Sequence, residues 1–230
     1  MPLARKGELV FEIKESLSLN YGHKLRGFFA QKFDELLFHN HHGDGQFRYG
    51  YPLIQYKILN GKPTVISLND GVDLVTENFL ELEKLDLGDK EFSKPEMKFQ
   101  IKEEQLEVEA EELDMLPYKY SFITPWMGLN QRNYKKYDNE IRHSNKKAEI
   151  KFLRKILIGN ILSFAKGVDW WVEDEIKLFP ELKKIPIQFK KERMVGFKGV
   201  FYSNVFLPDN IGLGQSTSRG FGTIQGEKSY

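Results

Sequence analysis

The chain has no cysteine. That excludes disulfides, thiolate nucleophiles and cysteine-type zinc sites, and it agrees with a reducing compartment, so a cytoplasmic location is expected. There is no apolar run of about 18 residues and no basic, apolar, small-residue leader. Neither a membrane span nor a secretion signal is therefore expected, and no membrane partner. An excess of one charge is missing too: 34 Lys and Arg stand against 33 Asp and Glu, leaving +1. Bulk charge thus gives no argument for a nucleic-acid partner, which would have to rest on local distribution. What remains is ordinary: 230 residues, 40% hydrophobic and 29% charged, enough for one domain of usual size or two small ones.

The distribution of charge is uneven. Acidic residues gather in Glu77 to Asp89 and in Glu103 to Asp114. A basic run follows with Arg132, Lys135, Lys136, Arg142, Lys146, Lys147, Lys151 and Arg154, and a second, Lys183 to Lys198, includes Arg193. An acidic first half and a basic second half place polyanion contacts in the second half; taken singly, each run also reads as a solvated helix face.

Periodicity orders the elements. Leu9 to Ile13 reads as a strand, and His23 to Phe38 carries Leu25, Phe28, Phe29, Phe33, Leu36 and Leu37 at helical spacing. Tyr51 to Ile58 and Lys62 to Leu68 meet at Asn60-Gly61, a strong hairpin signal. Val72 to Leu85 is helix-periodic and Met97 to Val108 alternates. The order β-α-β-β-α-β is that of a ferredoxin-like, RNA-recognition-type unit. After Leu116-Pro117 the pattern restarts: a strand Tyr118 to Ile123, helices around Asn130 to Asp138 and Lys146 to Lys166, strands Ile185 to Lys190 and Arg193 to Leu207, and a short last strand from Phe221 to Ile224. The expectation is an α+β chain of two tandem ferredoxin-like domains, residues 1–115 and 116–230. Trp170-Trp171 is read as core.

Between the last two strands lies Ile211 to Ile224, with Gly212, Gly214, Gly220 and Gly222 bracketing Ser216, Thr217, Ser218 and Arg219. Glycine accepts positive φ and lets another backbone come close, so two G-x-G pairs around hydroxyls and one arginine suit a phosphate-facing loop. Because it joins strand to strand, it is not a dinucleotide-binding fingerprint. The plain alternative is a flexible hairpin connection.

His39, His41 and His42 follow the first predicted helix, near Asp44, Arg48, Tyr49, Tyr51 and Lys57. Imidazole can both take and give a proton near neutral pH. Cutting RNA without metal needs a base for a ribose 2′-OH, an acid for the leaving 5′ oxygen, and cations around the phosphorane-like transition state. The same cluster with Asp44 also has metal-ligand chemistry, and it can equally be solvated loop. His23 reads as a helix-start residue and His143 as exposed or in contact with RNA.

The spacing G-x-G-x-x-x-x-x-G-x-G, ending Ser218-Arg219-Gly220-Phe221-Gly222, resembles the glycine-rich loop of the CRISPR-associated endoribonuclease Cas-six family, in the repeat-associated RNA-binding (RAMP) superfamily. Leu37-Phe-His-Asn-His41 with Phe47 to Lys57 is similar to one branch of that family. The resemblance covers nearly the whole chain. It implies two tandem ferredoxin-like domains and a metal-independent cut of precursor crRNA within the CRISPR repeat, leaving a 2′,3′-cyclic phosphate and a 5′-OH, with no cofactor. It also implies a catalytic histidine shortly after the first helix: His41 first, then His39 and His42, with Tyr21 assisting and Lys24 and Lys57 as phosphate contacts. RNA contacts would come from Gly212, Gly214, Ser216, Ser218, Arg219, Gly220 and Gly222, and from Arg132, Lys146, Lys147 and Arg193. Gln215 departs from the basic residue that relatives often carry. CRISPR repeat RNA is the implied partner, and other Cas effector subunits or a second copy of the chain are the protein partners the resemblance admits. The alternative function is a non-catalytic subunit that holds guide RNA.

Overall fold

The computed structural model describes residues 2–33, 50–109, 116–189 and 192–227. Contacts divide these into two compact units: the first is Leu3–Gln105 together with Thr217–Gly220, and the second comprises Leu106–Ser216 and the chain from Phe221, with the extreme N-terminus.

In the first unit, alternating apolar residues make β1 (Leu3–Glu12), which begins earlier than Leu9 because Ala4 and Lys6 also turn to buried surroundings. Helix α1 (Gly22–Lys32) follows; Phe33 is extended and the helix ends there, although the apolar spacing continues in sequence. Strands β2 (Ile54–Leu59) and β3 (Lys62–Leu68) turn at Asn60 (φ 50°) and Gly61 (φ 78°), the paired positive φ values a two-residue hairpin of the right twist requires. Helix α2 (Asp70–Asn78) is shorter than its periodicity: Leu82 and Leu85 are buried, but from the residue after a 3-10 turn at Phe79–Glu81 and from β4 (Lys84–Asp86), which pairs with β5 (Glu91–Ser93). With β6 (Glu96–Gln105) the sheet runs β2-β3-β1-β6, antiparallel at every pairing. One face supplies Leu9, Phe11, Ile54, Tyr56, Ile58 and Val65 to a core shared with Leu25 and Phe29 of α1 and Val75 of α2.

The second unit repeats the topology. Strand β7 (Tyr118–Phe122) leads to α3 (Gln131–Asn139) and α4 (Lys146–Gly167), whose first turns are capped by Asn130 and Asn145 accepting from the N–H groups of Asn133 and Ala148. Then come β8 (Leu178–Phe189), β9 (Glu192–Ser203) and β10 (Ile224–Glu227), in the order β10-β7-β9-β8. Trp126 is fully buried, stacks on Phe122 and donates its Nε1–H to Asn160 at 3.0 Å. Around it Phe197, Phe201, Leu157, Ile161 and Phe164 have lost all contact with solvent, each such burial contributing about 1.5–3 kcal/mol. Trp170 is in this core, but Trp171 is 84% exposed, so the pair splits. Where the first unit has its second helix, between its third and last sheet strands, the second unit has the glycine-rich segment.

No described helix is long and apolar enough to cross a membrane.

Candidate RNA interface

The glycine-rich segment is built from its own backbone. Gly212 bridges to Thr223, Leu213 N–H donates to Gly222 O at 2.9 Å, and Gly222 N–H donates to Pro125 O at 2.8 Å. Thr217–Arg219 forms a 3-10 turn closed by Gly220 N–H on Thr217 O at 3.0 Å. Gly222 has φ 63°, and a Cβ there would overlap the Leu213 carbonyl; one on Gly214 would come within 2.8 Å of Trp126 Nε1 and of Met127 O. The space that glycine leaves is therefore filled by protein. In this conformation these two glycines shape the loop, and a guest would meet its other side. Ser216 and Ser218 are half-exposed, and their hydroxyls make no hydrogen bond among the described residues; the buried Gln215 Nε2 likewise has no acceptor there.

Thr217–Gly220 belongs to the first unit, where it rests on the start of α1 and on β2. A Cβ on Gly22 would lie 2.8 Å from Arg219 O, and one on Gly220, at φ 89°, 3.1 Å from Tyr56 O. Glycine at both positions permits this close approach. The turn brings Arg219 near Arg26 of α1: burial, then the charge of Arg219, pushes the Arg26 guanidinium below its usual range. Two like charges gathered at a partly exposed turn are favoured when an anion joins them. Nothing local in the sequence links Arg26 to Arg219.

Tyr21 donates its hydroxyl to Asp89 at 2.9 Å, and Lys24 reaches the same carboxylate at 2.5 Å. Burial and the bond to Asp89 raise the Tyr21 pKa, so at neutral pH it is a hydrogen-bond donor and not a base. Lys24, His23, Lys32, Lys84 and Asp86 line a cleft of about 550 Å³ beside α1. Lys57 is wholly buried next to Gly220; burial pushes its ammonium well below the ordinary lysine range, with Glu8 opposing. That burial leaves it no surface for a phosphate.

In the second unit Arg132, Lys146, Lys147 and Arg193 are all exposed, the first on α3, the next two in the first turn of α4, the last on β9 opposite Gln188. Lys146 pairs with Glu149 at 2.8 Å. His143 is exposed. His39, His41 and His42, with Arg48 and Tyr49, lie outside the described residues. Among the described residues no group of three or more His, Asp or Glu is placed to hold a metal.

Two antiparallel sheets of the same strand order, with a glycine-rich turn carrying Arg219 beside Arg26, define a double ferredoxin-like protein. Its comparisons are specific. The family model described as the Cas6b N-terminal domain matches residues 5–105, and that of the Cas6b C-terminal domain matches residues 112–226. The chain therefore belongs to the Cas6b family. It is similar to a crystal structure of Cas6b, at 33% identity and TM-score 0.86, with 97% of this chain and 99% of that one covered. A second solved structure, of the CRISPR RNA processing endoribonuclease Cas6b, is 31% identical at TM-score 0.73, covering 97% and 100%. An uncharacterised protein of Methanocaldococcus jannaschii is 39% identical over 107 residues, 46% of this chain and 70% of that protein.

Proposed function

We propose that this chain is an endoribonuclease that binds CRISPR repeat RNA and processes precursor crRNA. The reading is carried by the match to Cas6b over both halves of the chain and supported by the Arg26–Arg219 neighbourhood in the first unit. The chemistry proposed is metal-independent transesterification. A histidine takes the proton of a ribose 2′-OH, and that oxygen attacks the adjacent phosphorus. The P–O5′ bond breaks as the leaving oxygen is protonated, giving a 2′,3′-cyclic phosphate and a 5′-OH. His41 is assigned first to this work, with His39 and His42 beside it. Arg219 and Arg26 would meet the phosphate charge that builds up in the transition state. Tyr21, held protonated on Asp89, can only orient or donate.

The test compares wild type with His41→Ala on host repeat RNA in EDTA. The expected result is cleavage by the wild type, and binding without cleavage by the variant. Cleavage by His41→Ala at the wild-type rate would move the role to another residue. Tight binding by the wild type with no cleavage would make the chain a holder of guide RNA instead, and activity lost in EDTA would make it a metal-dependent nuclease.

A further inference from the structure

The sheet of the second unit has two unlike faces. Tyr120, Phe122, Leu178, Leu182, Phe197 and Phe201 are buried, and α3 and α4 supply the rest of that core. The residues alternating with them point the other way. On that face Phe179 of β8 lies directly opposite Tyr202 of β9, and Tyr202 directly opposite Lys119 of β7. Phe179 is 43% exposed and Tyr202 half-buried. Neither ring stacks on another aromatic among the described residues. Four residues along β8, about 13 Å away at strand rise, Lys183 lies directly opposite Lys198. Both are exposed, and neither forms an ion pair among the described residues.

Each pair is a poor choice for a bare surface. A large aromatic on an uncovered strand loses the packing that normally justifies it, and like charges directly across a sheet repel. A single-stranded polynucleotide resolves both, because a base has a π-face for each ring and the phosphates neutralise the lysines. Glu181, between Phe179 and Lys183 on the same face, disfavours a phosphate there and so directs the backbone to the two ends of the stretch. Lys119 is held by Glu227 at 2.5 Å, a partner it can exchange for phosphate.

We propose that this open face is a second RNA-binding surface, on which Phe179 and Tyr202 stack two bases of an unpaired stretch of the substrate while Lys183 and Lys198 hold its backbone. It rests on the RNA-processing reading above. Its strands belong to the second unit, whereas Thr217–Gly220 belongs to the first.

The experiment uses the full chain and repeat RNA carrying 2-aminopurine at one position in turn. Binding to wild type should quench the probe at neighbouring positions, as stacking on a ring does. The Phe179→Ala/Tyr202→Ala variant should lose that quench and bind at least about thirtyfold more weakly, two stacked bases being lost, and Phe179→Tyr/Tyr202→Phe should retain both. Lys183→Ala/Lys198→Ala should reduce the slope of log affinity against log salt by about 1.4, or 0.7 per phosphate contact on a single strand. Circular dichroism melts of the variants, altered only at the surface, should match wild type. An alanine variant with wild-type affinity and quench overturns the proposal while leaving RNA processing intact. Unchanged RNA affinity, with a loss of dimer on sedimentation, would assign the face to a second copy of the chain. If wild type binds no repeat RNA, both this surface and the processing function fall.

Discussion

Consider one methyl group added at Gly222. The residue sits at φ 63°, where a non-glycine residue costs about 1–2 kcal/mol relative to right-handed backbone. The added carbon also overlaps the Leu213 carbonyl, so the strands flanking the loop must part. That threatens the Leu213 N–H to Gly222 O bond and the Gly222 N–H to Pro125 O bond, each worth about 1 kcal/mol net. Gly222→Ala should therefore destabilise the second unit by about 2–4 kcal/mol. The control is Gly159→Ala. Gly159 lies inside α4, and its Cβ would meet nothing within 4 Å, so alanine should stabilise by about 0.5–1 kcal/mol through the unfolded chain. Urea midpoints at pH 7 with unchanged m-values measure both. A Gly222→Ala protein as stable as wild type would refute the reasoning. If it also bound RNA less well, the glycine would be serving the guest directly, as the bare sequence pattern suggests.

Three other outcomes follow from the same structure. Arg219→Ala should weaken RNA binding and lower the salt slope by about 0.7, one single-strand phosphate contact, with Arg26→Ala behaving alike; filter binding from low to high salt reads both. Glu149→Gln should cost about 1 kcal/mol or less at pH 7, given its partial exposure. Burial opposes the Glu149 charge, but hydrogen bonds from Lys146 and Tyr137 outweigh it and lower its pKa. Its contribution is thus complete above the ordinary glutamate pKa and is lost as the pH falls through the lowered value, so variant and wild type should converge in acid denaturation series. Trp126→Phe should lose the bond to Asn160 and the surface beneath Gly214, costing about 1–3 kcal/mol, and thermal melts should show it.

Much of the fold could be read locally. Asn60-Gly61 dictates its turn by backbone chemistry alone, and Asn130 and Asn145 lie where helices need an acceptor. The sheet faces follow from period-two alternation. Element ends were less legible: Leu82 and Leu85 keep the spacing of a helix but reach the core from just beyond a 3-10 turn and from a strand. Strand β8 starts at Leu178 and not Ile185, because its full pairing with β9 sustains a run whose alternation is masked by Pro180, Lys183 and Lys184. The site was legible as residue types and much less as contacts. The glycines are plain in the sequence, but which side of the loop their missing side chains leave open depends on Leu213, Trp126 and Met127. Arg26 meets Arg219 only because a turn late in the chain packs against its first helix, and no local pattern encodes that meeting. Trp170 and Trp171 share a composition and differ only in the direction the backbone gives them.

The central claim is that a ribose hydroxyl of the repeat is the nucleophile. Purified protein should be incubated in EDTA with host repeat RNA carrying a single 2′-deoxy substitution at each position in turn. The account predicts that one substitution, immediately 5′ of the cut, abolishes cleavage, and that the unmodified RNA yields a cyclic phosphate end. Cleavage at every deoxy position would contradict it.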